Sequence, residues 1–234
     1  MKRLLAASLL AASLPATAGD LGNIGALSQE QFRLLSQDLG AALSYKGVTP
    51  ATSLGPWGFD LGLELSSTDV KNSDIFRLAG AGSTDTLFVP KLHIYKGLGA
   101  GIDLGGFVAI APDVDATLWG VDVRYAFVQD TLTTPALAVR LSGTRTTDLG
   151  SLKVSTYGAD LMLSKRFTVA TPYIGAGIVR VDSSISAPGL ADETFNEGRY
   201  FGGVNLNLLL INLAVEAERL GDNTTLSAKL GWRF

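Results

Sequence analysis

The chain has 234 residues, no cysteine, a single histidine, 27 glycines, a formal net charge of −3 and a hydrophobic content of 47%. Without cysteine there is no disulfide scaffold, and no basic cluster of the kind that grips nucleic acid is present. The length suits one large all-β domain as readily as two small ones.

Residues 1–18 read as an export signal. Lys2 and Arg3 form a basic start, Leu4–Leu14 an apolar run, and Ala16-Thr17-Ala18 a small-residue cleavage site. The run is well short of the ~18 residues that a spanning helix needs. Cleavage after Ala18 removes two positive charges and no negative ones, taking the net charge from −3 to −5. The most apolar later stretch, Leu206–Val215, is interrupted by Asn207 and Asn212. An exported chain that is apolar yet never concentrates its apolar residues must distribute them by alternation.

Residues 19–56 differ from the rest. Ser28 and Gln31 have the spacing of a capping box, and Glu30 suits a first turn. Phe32, Leu35, Leu39 and Leu43 then recur on one face, which predicts a helix over Gln29–Leu43. Gly47, Pro50, Gly55 and Pro56 break that pattern and lead into the first strand.

Residues 57–234 alternate with a period of two, as strands do. Ten segments are expected: Trp57–Thr68, Thr86–Tyr95, Leu98–Ile110, Thr117–Val128, Pro135–Thr146, Leu152–Phe167, Thr171–Ser183, Glu197–Leu209, Ile211–Leu220 and Leu226–Phe234. Each is close to the ~9–11 residues with which a tilted strand crosses a bilayer. The seventh alternates least cleanly. Its expected parity puts Tyr173, Val179 and Val181 outward and Arg180 and Asp182 inward.

The final strand carries Leu226, Ala228, Leu230, Trp232 and Phe234 on one face and Ser227, Lys229, Gly231 and Arg233 on the other. Leu230, Trp232 and the terminal Phe234 resemble the C-terminal insertion signal of Gram-negative outer-membrane β-barrel proteins. That resemblance implies an antiparallel up-and-down transmembrane barrel of about ten strands in the cell outer membrane. It further implies contact with outer-membrane lipid, and with the barrel-assembly machinery through the last strand. If Phe234 is periplasmic, the two longest connections, Asp69–Asp85 and Ser184–Asn196, fall on the outside, and both termini fall in the periplasm. Trp57, Phe59, Tyr125, Phe127, Phe167, Tyr173, Trp232 and Phe234 would make the inner aromatic girdle, and Phe88, Trp119 and Tyr200 the outer one.

On these parities the lumen holds Lys91, Arg124, Arg140, Arg180, Arg199, Lys229 and Arg233 against Asp60, Glu64, Asp103, Asp122, Asp160, Asp182, Glu216 and Glu218. Such a balance suits paired charges stiffening the barrel better than an ion-selective pore. Small inward residues (Gly58, Gly62, Gly99, Gly101, Gly105, Gly120, Ala138, Ser142, Gly158) make space along one wall. The helix at Gln29–Leu43 is a candidate plug, in the lumen or at its periplasmic mouth. A place on the membrane surface, or a small ligand cavity in its stead, is the alternative.

Omptin proteases and lipid A-modifying acyl hydrolases pair His with Asp, Glu or Ser. Here the one candidate, His93, is placed near the periplasmic rim, away from the end where omptin-type chemistry occurs, and reads as a member of the polar network. No nucleophile motif, metal-ligand cluster or cofactor fingerprint is present. The functional expectation is a narrow barrel passing small or hydrophobic solutes, gated or plugged by its N-terminal helix. The competing expectation is a non-transporting structural or surface-interaction barrel, and a hydrolase comes third. Oligomeric state and substrate are open.

Overall fold

The computed structural model describes residues 21–81, 85–147 and 149–234. The export signal expected at residues 1–18 lies outside them. Ten antiparallel strands run β1 Phe59–Asp69, β2 Thr86–Gly99, β3 Ile102–Ala111, β4 Ala116–Val128, β5 Ala136–Thr147, β6 Leu152–Ser164, β7 Ala170–Ile185, β8 Glu193–Leu208, β9 Ile211–Leu220 and β10 Asn223–Arg233. Each pairs with its sequence neighbours, and β1 closes on β10 through Leu63 opposite Leu230 and Glu64 opposite Lys229. The result is a closed up-and-down barrel without edges.

Its outer wall is apolar. Leu104, Val108, Val121, Leu141, Leu161 and Ile174 are all about half exposed there. A continuous belt of this kind is far larger than the apolar patches of soluble monomers and requires lipid against it. Phe127, Phe167, Trp232 and Phe234 ring the end with the short turns, and Trp119 and Tyr200 lie toward the other end. The chain is a transmembrane β-barrel.

Several strand limits and facings differ from expectation. β2 runs on to Gly99, so His93 lies in mid-barrel and not near a rim. Gly99 and Gly101, expected on the lumen wall, flank the β2–β3 turn with φ of 86° and 82°, a region that favours glycine. Gly58 likewise belongs to the turn that enters β1. β7 has the opposite parity to that expected: Tyr173, Val179 and Val181 are buried inside, whereas Arg180 and Asp182 point outward and pair with each other at 3.0 Å. Arg180 therefore leaves the lumen network, and Tyr173 leaves the girdle. The cause is that the upper lumen is apolar, so inward residues there are apolar too.

Two helices complete the fold. α1 spans Gln29–Leu43, with both arms of the capping box formed by Ser28 and Gln31. α2, Ser73–Ala79, lies in the β1–β2 connection and buries Ile75, Phe76 and Ala79. The β7–β8 connection is shorter than expected because both strands extend into it. Four large inward side chains lie across from glycines on the neighbouring strand: Tyr95 opposite Gly105, Phe107 opposite Gly120, Phe201 opposite Gly175 and Tyr173 opposite Gly203. In each pair the ring covers the glycine. The space expected along the wall is thus filled largely by the wall itself.

Candidate functional site: the plugged lumen

The N-terminal segment passes through the barrel from one end to the other. It starts among the long connections, where the Asn23 amide donates to the Ala79 carbonyl at 2.9 Å. Gln29 bonds to the β7–β8 loop at Ala191, and Arg33 pairs with Glu193 at 3.1 Å. Asp38 is fully occupied there. It accepts from the Lys71 and Asn72 amides and from the side chains of Asn72 and Asn223, at 2.6–3.1 Å. The described chain thus begins at the long-loop end, not at the short-turn end expected for both termini.

Below this collar, α1 seats its apolar face in the barrel. Phe32, Leu35, Leu39 and Leu43 pack with inward Leu118, Leu152, Val154, Val179 and Val181 in one buried cluster. At Gly40 the helix comes so close to β7 that an added Cβ would lie 2.7 Å from the Val181 Cγ2. This half of the lumen resembles the core of a soluble protein. An unpaired charge would be costly in it.

The other half is polar, and residues 44–54 run through it as an extended strap. Tyr45 donates to Asp122 at 2.6 Å and lies 2.8 Å from the Tyr95 hydroxyl. Lys46 donates to the Ala41 carbonyl at 2.6 Å and pairs with Glu218 at 3.3 Å. Arg124 donates to Thr49 and to the Pro50 carbonyl, both at 2.6 Å, and pairs with Asp103 at 2.6 Å. Asp103 also accepts from Ser53 and from the Leu54 amide. At the bottom, Lys96 donates to the Pro56 carbonyl at 2.9 Å, just before β1 begins.

The remaining lumen charges pair on the wall. Glu64 takes Lys91 at 2.8 Å and His93 at 2.5 Å. Asp160 takes Arg140 at 2.8 Å and Arg199 at 3.0 Å, and Arg199 reaches Glu218 at 3.4 Å. At the closing seam Asp60 takes Lys229 at 3.0 Å and Arg233. Glu216 is buried near Arg140 and the Tyr173 hydroxyl. With Arg180 and Asp182 outside and Lys46 and Asp38 inside, the lumen still holds seven basic groups against eight acidic ones. Such pairing offsets desolvation only where partners are close and hydrogen-bonded, which holds for most of these.

Lys46 and Tyr45 were not legible as lumen residues, because they lie in a glycine- and proline-punctuated stretch read as a lead-in. His93 is fully buried between Tyr45, Tyr95 and Phe107. Small polar vestibules remain at the two ends. One, of about 160 Å³, is bordered by Gln37, Asp38, Asn72 and Glu197. The other, of about 170 Å³, is bordered by Thr52, Ser53, Asn207 and Arg233. Between them Tyr45, Lys46 and Val48 are fully buried. Among the described residues, the lumen between the vestibules is filled.

No family model and no curated protein matches the chain. Solved outer-membrane barrels resemble it in fold at low identity. An outer membrane channel from Pseudomonas putida F1 is 13% identical, with 76% of this chain and 96% of that one covered and a TM-score of 0.48. The KdgM porin in complex with disordered oligogalacturonate is 9% identical, with 75% and 99% covered and a TM-score of 0.41. OprG from Pseudomonas aeruginosa is 12% identical, with 80% and 99% covered and a TM-score of 0.35. The closed ring of ten strands, its lipid-facing belt and its aromatic rims make this chain a transmembrane β-barrel, similar in fold to these outer-membrane proteins.

Proposed function

We propose that the protein is a narrow transport barrel for small or hydrophobic solutes, held shut by residues 21–56. The observation that carries this reading is that one continuous segment runs through the lumen between the two vestibules and packs against the side chains of the wall. Its apolar helix sits in an apolar half-barrel, and its polar strap sits among fixed charges. Removing it would leave a channel with an apolar upper chamber and a charged lower one. An apolar solute entering the upper chamber would replace contacts that α1 now makes. The lower half, with almost equal numbers of both signs, would favour neither cations nor anions.

Planar-bilayer conductance of the whole protein and of a variant lacking residues 19–50 tests the proposal. Silence from the first and steady conductance from the second is the expected pair. Silence from both, with the variant folded, leaves the non-transporting surface barrel. One feature favours that second reading: α2 and the β1–β2 connection fold down over α1, so the segment is capped as well as inserted.

A further inference from the structure

Three basic side chains leave the outer wall of the barrel in one place. Arg145 on β5, Lys153 on β6 and Arg180 on β7 all point outward and are exposed. Their strands are adjacent, and the register brings the three together. Arg145 stands opposite Ser155, and Arg180 stands opposite Tyr157. Lys153 lies two residues from Ser155 on the same face. Directly paired residues have Cβ atoms ~5 Å apart and diagonal ones ~7–8 Å, so all three flexible cations reach one group placed over Ser155 and Tyr157.

The cluster lies on a boundary. Below it on the same strands, past Gly143 and Ala159, come Leu141, Leu161 and Ile178, exposed by 62%, 55% and 52%. Trp119, level with Arg145 on β4, and Tyr157 itself mark the edge with amphipathic rings. One acid, Asp182, stands opposite Ser155 within the cluster and pairs with Arg180 through Nε alone, which leaves the two terminal nitrogens of Arg180 for another anion. Arg219, also pointing outward at this end, is separately matched by Asp222 at 3.4 Å. Arg145, Lys153 and Arg180 against Asp182 thus leave a local surplus of positive charge where apolar surface gives way to polar.

We propose that Arg145, Lys153 and Arg180 bind the phosphorylated headgroup of a lipid, in the leaflet that meets the long-loop end of the barrel. Phosphate oxygens match the planar donors of arginine and the point charge of lysine. Ser155 and Ser184, which faces Lys153, supply hydroxyls beside them. The acyl chains lie along Leu141, Leu161 and Ile178. A soluble anion would use the cations alone, whereas a lipid uses both halves of this surface, which is why a lipid is the occupant. The site is on the outer wall and is independent of how the lumen is used.

The test uses the whole protein in phosphatidylcholine nanodiscs, with and without lipid A as the phosphorylated probe. Native mass spectrometry counts the lipid A retained per barrel. Each cation near a charged headgroup is worth about fivefold in affinity, so the triple variant R145Q/K153Q/R180Q should lose on the order of a hundredfold. Arg219→Gln should retain lipid A as the wild type does. Heat-modifiable migration reports that each variant is folded, and the three single variants carry the comparison if the triple one is not. Equal retention by wild type and folded variants overturns the site, as does an equal loss in Arg219→Gln. Heparin or inorganic phosphate binding as tightly, and displacing lipid A, would assign the cluster to a soluble anion and overturn the lipid.

Discussion

Tyr45, on the strap inside the barrel, donates its hydroxyl proton to Asp122 on β4 across 2.6 Å. The contact joins the inserted segment to the wall at a depth where neither group meets water. The other carboxylate oxygen of Asp122 has no partner of its own, so the group depends on Tyr45 and on Tyr95 nearby. Tyr45→Phe should therefore cost about 1–3 kcal/mol, the usual penalty for orphaning a buried acceptor. Urea unfolding of the refolded barrel would measure it. Adding Asp122→Asn should return part of the loss, and a double-mutant cycle reads the coupling. Purely additive losses would mean that the hydrogen bond holds nothing.

A disulfide should fix α1 to the wall between Gly40 and Val181. A Cβ on Gly40 would stand 3.4 Å from the Val181 Cβ, close to the ~3.5–4.5 Å of bridged cysteines. The Gly40→Cys, Val181→Cys pair should oxidise spontaneously and shift migration on a non-reducing gel. If the proposed gating is right, the oxidised protein stays silent in bilayers under conditions where the reduced protein opens. Failure to form the bond would place the helix elsewhere in the lumen.

The glycine–aromatic pairs make a sharper stability prediction. A methyl group on Gly175 would run into the Phe201 ring, and one on Gly105 into Tyr95 and Asp122. Gly175→Ala and Gly105→Ala should each destabilise the barrel by about 1–3 kcal/mol, the common cost of overpacking. Gly143→Ala is the control, since its nearest neighbours lie 3.7 Å away or more and it faces outward. Its denaturation midpoint should stay near that of the wild type.

At the closing seam, deletion of Phe234 should impair assembly in cells more than Lys229→Ala does. Phe234 exchanges two main-chain hydrogen bonds with Phe59, at 2.7 and 3.0 Å, and packs its ring against that of Phe59. Loss of Lys229 leaves Asp60 still bonded by Arg233. The heat-modifiable fraction of outer-membrane preparations reports both variants, and normal folding without Phe234 would refute the ranking.

Strand count, strand facing for nine of the ten strands and the limits of α1 were legible because period two and period 3.6 leave separate marks on a sequence. β7 departs from its expected facing for a physical reason. Lumen and lipid are both apolar beside Val179 and Val181, so polarity no longer tells inside from outside, and the ionic pair Arg180–Asp182 belongs to the headgroup zone. α2 offered only Ile75, Phe76 and Ala79, too few turns for a periodic signal. The wall charges could be named from alternation. Their partners could not, because Lys46–Glu218 and Arg124–Thr49 depend on where an irregular strap lies in space.

The inserted segment also sets a condition on how the ring is made. Residue 21 lies at one mouth and β1 starts at the other, so the strands close around a chain already lying along their axis, or that chain is later drawn through a finished hoop. Residues 21–56 add partners for Arg124 and Glu218 to those that Asp103 and Arg199 give them on the wall, which would favour the first order, with the segment as a mandrel on which the staves are bent. A compact folded domain attached ahead of Leu21 could not be pulled through the ring once shut, and would have to be carried across before the last seam is sewn.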